Sequence, residues 1–370
     1  MNNILFLFSY IYLGESMKKV FLLSLMFPLI VRAYTSSATS TVLMNGDSGD
    51  LIYSVNKDDI RSVASISKIM TGILALESGK TNDIVKVGTE ILDAYGSGIY
   101  IKEGEELSLE DLVYGLMLRS GNDAALAIAK YVGGNVDNFI LMMNEKAKEI
   151  GMNNSTFNNP SGLDQEKGNY STAYDMALLM KYAMKNEKFK KIVGTKKKIV
   201  KTNFNKYVWI NKNKLLSSYK YATGGKTGYT TKAKRTLVTT ASKNGVNLIA
   251  VTLNDGNDFD DHKKLYEEAF NIYKNYRILK KDNLKIIGEN YYKNCSFYLK
   301  EDFYYSLKKE ELKEVIIKFE LKKIKDYKSD DEIGTVKVYL NNKEIYINSI
   351  YIKVKEKKEN FLKRLIDKLW

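Results

Sequence analysis

Ser65-Ile66-Ser67-Lys68 sets a hydroxyl and an amine at positions i and i+3. If the segment opens a helix, both side chains lie on one face, within reach of each other. A lysine at a helix N-terminus sits near the positive end of the dipole, which disfavours its charged form. Burial pushes the same way, towards a neutral amine able to take the Ser65 proton. The chemistry open to this pair is nucleophilic catalysis with a lysine base. The frame alone is weak, because S-x-x-K also occurs at Ser16, Ser217 and Ser306. Ser120-Gly121-Asn122 would add a second hydroxyl for proton relay and an amide to hold a substrate. Alone it is a turn signal, and Ser-x-Asn occurs again at Ser242. Lys226-Thr227-Gly228 is the one K-T-G of the chain. A glycine after the threonine of a strand lets a substrate or another backbone come close. Lys226 and Thr227 are then placed to bind a peptide carboxylate.

Two scarcities sharpen this chemistry. The chain has one histidine, His262, and one cysteine, Cys295. No intrachain disulfide is possible. Metal sites built from several histidines or from paired cysteines are excluded, and a Ser-His-Asp triad would have to use His262. A hydrolase of this composition takes its base from Lys, Asp or Glu. The net charge of +14, from 58 Lys+Arg against 44 Asp+Glu, invites an anionic partner: nucleic acid, membrane or wall polymer. Charge does not choose among them.

The elements that must position these residues are readable in outline. Residues 39–44 and 51–55 flank Asn45-Gly46-Asp47-Ser48-Gly49 and read as a hairpin. Residues 66–77 have helical spacing, with Gly79 placed to end the helix. Ser108 and Asp111 resemble a capping box. Residues 124–132 and 136–150 carry apolar side chains at helical spacing. Ser171, Thr172 and Asp175 open another helix running to Met184. Residues 223–227, 236–241 and 246–253 read as strands, with Asn244-Gly245 as the last turn. Residues 261–276 read as a closing helix. The basic stretch 188–201 reads as a solvated surface loop. The pattern predicts an α+β (mixed α/β) domain over 34–277, an antiparallel sheet with a helical cluster. A small β-rich domain follows over 278–354, from β-like segments at 284–287, 296–299, 315–321, 335–340 and 343–354. The 370 residues, 44% of them hydrophobic, suffice for two domains.

The trio S-x-x-K, S-x-N and K-T-G marks class A β-lactamases and penicillin-binding proteins. Here it occurs in the order Ser65, Ser120, Lys226, at a helix start, an inter-helix loop and a strand. The sequence resembles the low-molecular-mass penicillin-binding proteins, the serine-type D-alanyl-D-alanine carboxypeptidases (peptidase S11-like), with their penicillin-binding/β-lactamase-like transpeptidase fold. The segments that carry the resemblance run from Ala64-Ser65-Ile66-Ser67-Lys68-Ile69-Met70-Thr71 through Ser120-Gly121-Asn122-Asp123 and Asn159-Pro160-Ser161-Gly162-Leu163. They continue in Tyr170-Ser171-Thr172, Asn211-Lys212-Asn213-Lys214-Leu215-Leu216 and Gly225-Lys226-Thr227-Gly228-Tyr229-Thr230. Coverage is about residues 39–275, with a looser match beyond.

The resemblance implies a mechanism. Ser65 would attack the carbonyl between two D-alanines with Lys68 as base, and the N–H groups of Ser65 and Tyr229 would form the oxyanion hole. Ser120 would relay a proton, Asn122 would position the peptide, and Lys226, Thr227 and Gly228 would line the carboxylate end. The implied partners are a peptidoglycan pentapeptide as substrate and β-lactams as inhibitors, with no cofactor. Four positions depart from the family pattern: Val63, Ser67, Asn169 and Lys234. A β-lactamase of class A needs a Glu in an E-x-x-L-N segment. Glu166-Lys167-Gly168-Asn169 does not match it, which argues against that reading. An endopeptidase or transpeptidase differs only in acyl acceptor and stays open. So does an inactive wall-binding protein, although the intact motifs argue against it.

Both termini point to the cell surface. Met17-Lys18-Lys19, the apolar run 20–31 and Ala33 have the three parts of a secretory signal, so residues 1–33 are expected to direct export. Residues 1–16 precede it awkwardly. One expectation is that Met17 is the true start, which upstream nucleotides lacking a GGAG-like run would sink. At the other end, Phe361, Leu362, Leu365, Ile366 and Leu369 share one face of a predicted helix over 355–370. Residues 351–370 carry seven Lys/Arg and three Asp/Glu. Such a helix suits the outer face of a bacterial cytoplasmic membrane. Nucleic-acid binding would explain only the charge, and an export signal argues against it.

Overall fold

The computed structural model describes residues 34–164, 167–282 and 284–355. The expected export signal, Glu166, and all but the first residue of the expected C-terminal helix lie outside the described residues. Ser40–Asn45 (β1) and Leu51–Val55 (β2) form the expected hairpin. Asn45 makes its turn by accepting the N–H groups of Asp47 (2.9 Å) and Ser48 (3.1 Å) on its side chain. Arg61–Ser62 (β3) leads into a 3₁₀ turn, Ala64–Ser67, and then α1, Lys68–Glu77. Gly79, at φ +75°, stands just past the end of α1. Ile84–Lys86 (β4) pairs with Glu106–Ser108 (β5).

Four helices then start on side-chain caps or on the site itself. Ser108 accepts the Asp111 N–H and opens α2, Leu109–Tyr114, which continues as one wide π turn, Gly115–Arg119. Next come α3, Asn122–Gly133, and α4, Val136–Ile150, capped by Asn135 and ended by Gly151 at φ +86°. Tyr170–Ser171 (β6) returns to pair with β3. Thr172 then caps α5, Ala173–Ala183.

The basic stretch 188–201 is not a solvated loop. Asn186 caps an amphipathic helix, α6, Glu187–Gly194, and a hairpin follows, Lys197–Lys201 (β7) with Lys206–Ile210 (β8). Phe189, Ile192, Val193 and Val200 are buried there while the lysines point outward. Four apolar residues at the right spacing outweigh a surplus of charge. A short helix, α7, Leu215–Ser218, precedes Ala222–Thr230 (β9), Lys234–Lys243 (β10) and Val246–Leu253 (β11). Asn244 (φ +52°) and Gly245 (φ +80°) form the tight turn between the last two.

The central sheet has the order β2-β1-β11-β10-β9, antiparallel throughout. Its strands alternate between two cores. Val42, Met44, Val238, Ile249 and Val251 face the helical cluster. Leu43, Leu237, Leu248 and Ala250 face α8, Asp258–Ile272, with its Leu265, Tyr266, Ala269 and Phe270. Both faces are covered, so the sheet side chains are buried on each side.

The closing helix is shorter than its sequence pattern. Tyr273–Leu279 (β12) is a strand, paired with Phe303–Lys308 (β14), an element that the sequence pattern did not reveal. Cys295–Tyr298 (β13), Val315–Leu321 (β15), Glu332–Leu340 (β16) and Lys343–Val354 (β17) form a second sheet in the order β13-β17-β16-β15. The expected strand at 284–287 reduces to one bridge, Leu284 with Phe297. Ile333, Val336, Val338, Ile350 and Ile352 make this domain's own core. Asp50, beside β2, ties it to the first domain by accepting from Lys343 (2.7 Å) and from the Tyr305 hydroxyl.

Candidate active site

Ser65 sits in the 3₁₀ turn just before α1, and the turn is held from several sides. The Ser67 hydroxyl donates to the Ala64 carbonyl (2.8 Å). From β10, the Thr236 hydroxyl donates to the Val63 carbonyl (3.0 Å). Ala64 lies at φ +49°, an uncommon state for a residue with a side chain. Gly162 presses against it: a Cβ there would lie 2.0 Å from the Ala64 carbonyl oxygen. Of the four departures, Val63 and Ser67 thus belong to the clamp itself. Asn169 is buried and organises the 158–162 loop. It accepts the N–H groups of Asn158 (2.7 Å) and Asn159 (3.1 Å) and donates to the Asn159 carbonyl (2.8 Å).

Lys68 opens α1, and its ammonium is fully buried. It lies 3.0 Å from the Ser65 Oγ and 2.7 Å from the Asn122 Oδ1, and it also donates to the Ser161 carbonyl. Burial, aided by the Lys212 charge, brings its pKa down to about 7, against a smaller upward pull from Asp123. At neutral pH a large fraction of Lys68 is therefore the free amine, and its nearest proton source is Ser65.

Ser120 ends the π turn in the left-handed conformation, φ +65°, which swings its hydroxyl towards β9. The Lys226 ammonium donates to it at 3.0 Å and to the Thr227 carbonyl at 2.7 Å. Lys226 is buried too, and burial together with Lys68 and Lys212 holds its pKa well below the usual lysine value. Asn122 starts α3 and bridges the groups: its Oδ1 faces Lys68 and its Nδ2 donates to the Tyr95 carbonyl (2.5 Å). Asp123 beside it accepts the N–H groups of Ile99 (3.0 Å) and Tyr100 (2.6 Å) and so fixes the loop over the site.

These groups border a cavity of about 450 Å³. Ser65, Ser120, Thr227, Gly228 and Tyr229 line it. Lys68 and Lys226 lie behind that lining, one hydrogen bond deeper, and Asn122 lies behind Lys68. A Cβ on Gly228 would come within 3.0 Å of the Ser65 amide nitrogen. The glycine thus lets β9 approach the nucleophile turn. Ser97, Lys212, Lys214 and Arg235 also line the cavity, and sequence reasoning gave none of them a role. Lys212 reaches the Ser97 hydroxyl (3.0 Å). Arg235 is fixed by a two-point pairing with Asp258, 3.1 Å at Nε and 2.5 Å at Nη2. Lys212 had a signal, its place in Asn211-Lys212-Asn213-Lys214. Arg235 had none beyond its nearness to Lys226.

His262 is not part of this site. It is buried on the sheet-facing side of α8 between the hydroxyls of Thr239 (2.6 Å) and Thr252 (3.1 Å). Burial lowers its pKa to about 3, so it stays neutral. The lysine-base chemistry therefore has no histidine rival in the cavity.

Residues 29–257 match the family model described as D-alanyl-D-alanine carboxypeptidase, and residues 273–358 match that of the penicillin-binding protein 5 C-terminal domain. The chain belongs to the D-alanyl-D-alanine carboxypeptidase family. Among its relatives, the D-alanyl-D-alanine carboxypeptidase DacF of Bacillus subtilis is 36% identical over 254 residues, 66% of this chain and 65% of that protein. The match thus spans just under two thirds of that relative's length. Penicillin-binding protein 5 of Haemophilus influenzae has a similar structure, with a TM-score of 0.68 and 27% identity over 88% of this chain and 99% of that one. A Streptomyces K15 DD-transpeptidase variant gives a TM-score of 0.61 at 32% identity, over 64% of this chain and 99% of that one. The family therefore accounts for both the mixed α/β catalytic domain and the β domain behind it.

Proposed function

We propose that the protein removes the terminal D-alanine from peptidoglycan stem peptides through an acyl-enzyme on Ser65. One observation carries this reading: a buried lysine amine, neutral in large part at pH 7, 3.0 Å from a hydroxyl that lines a cavity. In this mechanism the Ser65 Oγ attacks the carbonyl carbon between the two D-alanines while Lys68 takes its proton. The N–H groups of Ser65 and Tyr229 receive the oxyanion. The C–N bond breaks, the leaving amine takes its proton through Ser120, and free D-alanine departs. Lys226 and Thr227 hold its carboxylate, and Gly228 keeps the strand close. Asn122 fixes the peptide and the Lys68 amine together. Water then attacks the Ser65 ester, with Lys68 again as base, and releases the tetrapeptide. A β-lactam presents a carbonyl and a carboxylate in the same relation, so penicillin acylates the same serine and inhibits the enzyme.

The test is release of D-alanine from a pentapeptide ending in D-Ala-D-Ala, with and without glycine as a competing acyl acceptor. Stoichiometric D-alanine and tetrapeptide support the carboxypeptidase. No release from the intact protein rules it out. Similarity to a DD-transpeptidase from Streptomyces favours a second reading, in which an amine takes the acyl group. That reading requires a glycine-capped product to dominate. The place of action in our reading is the outer face of the cytoplasmic membrane, through the export signal of residues 1–33 and the basic amphipathic segment 355–370. Fractionation of cells expressing the full chain and a form ending at residue 354 tests it, since both staying soluble in the cytoplasm contradicts it.

A further inference from the structure

A second cavity, of about 510 Å³, opens at the far end of the sheet and shares no lining residue with the active-site cavity. Its floor is apolar, from Met184 and Ile249, and its rim is cationic, from Lys181, Lys185 and Lys190 with Asp47 as the one carboxylate. We propose that this cavity binds a phosphate ester of a polyol or sugar.

The polar groups that line it have donors left over. Lys181 gives one hydrogen bond, to the Ser48 carbonyl (2.9 Å), out of the three that an ammonium can make. The Lys185 ammonium has no hydrogen bond or ion pair among the described residues. The Ser242 hydroxyl likewise has no partner there. The hydroxyls of Thr223 and Thr240 share a single contact of 2.7 Å, so one of their two hydrogens remains for a ligand. Asp47 accepts from the Asn247 amide on both oxygens, 3.0 Å each, and is one carboxylate against three lysines. Lys190 is partly answered by Glu187 (2.8 Å). Lys181 and Lys185 thus keep free donors on one rim. Burial and the neighbouring Lys185 lower the pKa of Lys181, against smaller upward pulls from Asp50 and Asp47.

The choice of phosphate follows from the donors. Lysine is a compact point charge that meets a tetrahedral oxyanion from several directions, whereas planar carboxylates are gripped best by arginine. The lining holds three lysines and no arginine. The volume exceeds that of a bare phosphate, and the apolar floor suits the C–H faces of a polyol or sugar.

Calorimetric titration of the full chain with glycerol 3-phosphate and inorganic phosphate, and with acetate as control, tests the site. Saturable binding of glycerol 3-phosphate is expected, weakened about tenfold in Lys185→Gln, the loss of one charge-assisted hydrogen bond. Lys185 is exposed, so this variant folds as the parent does, which its melting temperature checks. Lys181→Gln should weaken binding similarly. Lys212→Gln, which removes a cation from the active-site cavity, should leave it unchanged. The proposal is overturned by no saturable phosphate binding, by equal binding of acetate, by an unchanged Lys185→Gln, or by loss in Lys212→Gln.

Discussion

At the scale of single residues, the account turns on the charge of Lys68. If its neutral form is the base, the rate of acylation by penicillin rises with pH through an apparent midpoint near 7. The midpoint belongs to a coupled cluster, because Lys226 and Lys212 press on the same field. Removing the Lys212 charge relieves a like-charge repulsion, so Lys212→Gln should move the midpoint upward. A stopped-flow pH profile that stays flat, or moves down in the variant, contradicts this. Stability carries the same signature. The folded-state pKa of Lys68 lies below its unfolded value of 10.5, so between about 7 and 10.5 the unfolded chain holds a proton that the native state has released. Stability then rises with pH over that window, and the penalty is full below it. Lys68→Met should therefore stabilise the protein at pH 7 by about 1–4 kcal/mol, a gain that fades towards pH 10 in denaturant melts. Much of this was legible in the sequence. Ser65, Lys68, Ser120, Asn122 and Lys226 are contiguous in motifs, and the fold brings them within hydrogen-bonding reach. Arg235 and Ser161 were not legible, since their roles depend on which strand pairs with which and on a backbone carbonyl that no side-chain pattern can mark.

At the scale of elements, the site depends on backbone states as much as on side chains. Gly162 combines φ +78° with a Cβ position 2.0 Å from the Ala64 carbonyl. Gly162→Ala should cost about 3 kcal/mol or more and slow acylation, because the turn bearing Ser65 must shift. An unchanged melting temperature together with unchanged acylation would show that this loop does not hold the turn. Lys234 makes the opposite case. It occupies φ +59° at the start of β10, where a short hairpin calls for glycine. Lys234→Gly should be stabilising by about 1 kcal/mol, as the strain of a left-handed residue is removed. A destabilised variant in thermal melts would mean that the lysine side chain contributes more than its backbone costs. The helices were readable from their caps, Ser108, Thr172 and the apolar spacing, since those signals are local. The strand β12 was not, because a helical pattern ran on through Tyr273 and only pairing with distant β14 decides its state.

At the scale of the molecule, Asp50 is one of the points where the two domains meet. Although partial burial raises its pKa, bonds from Lys343 and Tyr305 hold it below the ordinary carboxylate value. The link is thus present above the carboxylate range and fades as pH falls through it. Asp50→Ala should leave penicillin acylation within about twofold of the parent, as the residue is remote from the cavity, but make the β domain easier to cleave by protease at neutral pH. Equal cleavage rates would show that other contacts carry the junction. The covalent event on Ser65 remains the centre of the account, and one measurement reaches it directly. The full chain and its Ser65→Ala variant are incubated with penicillin at pH 7.5, and intact mass and peptide mapping locate the adduct. The account predicts one penicilloyl group per chain, on the peptide containing Ser65, and none on the variant. An adduct on another residue, or an unmodified parent, would contradict it.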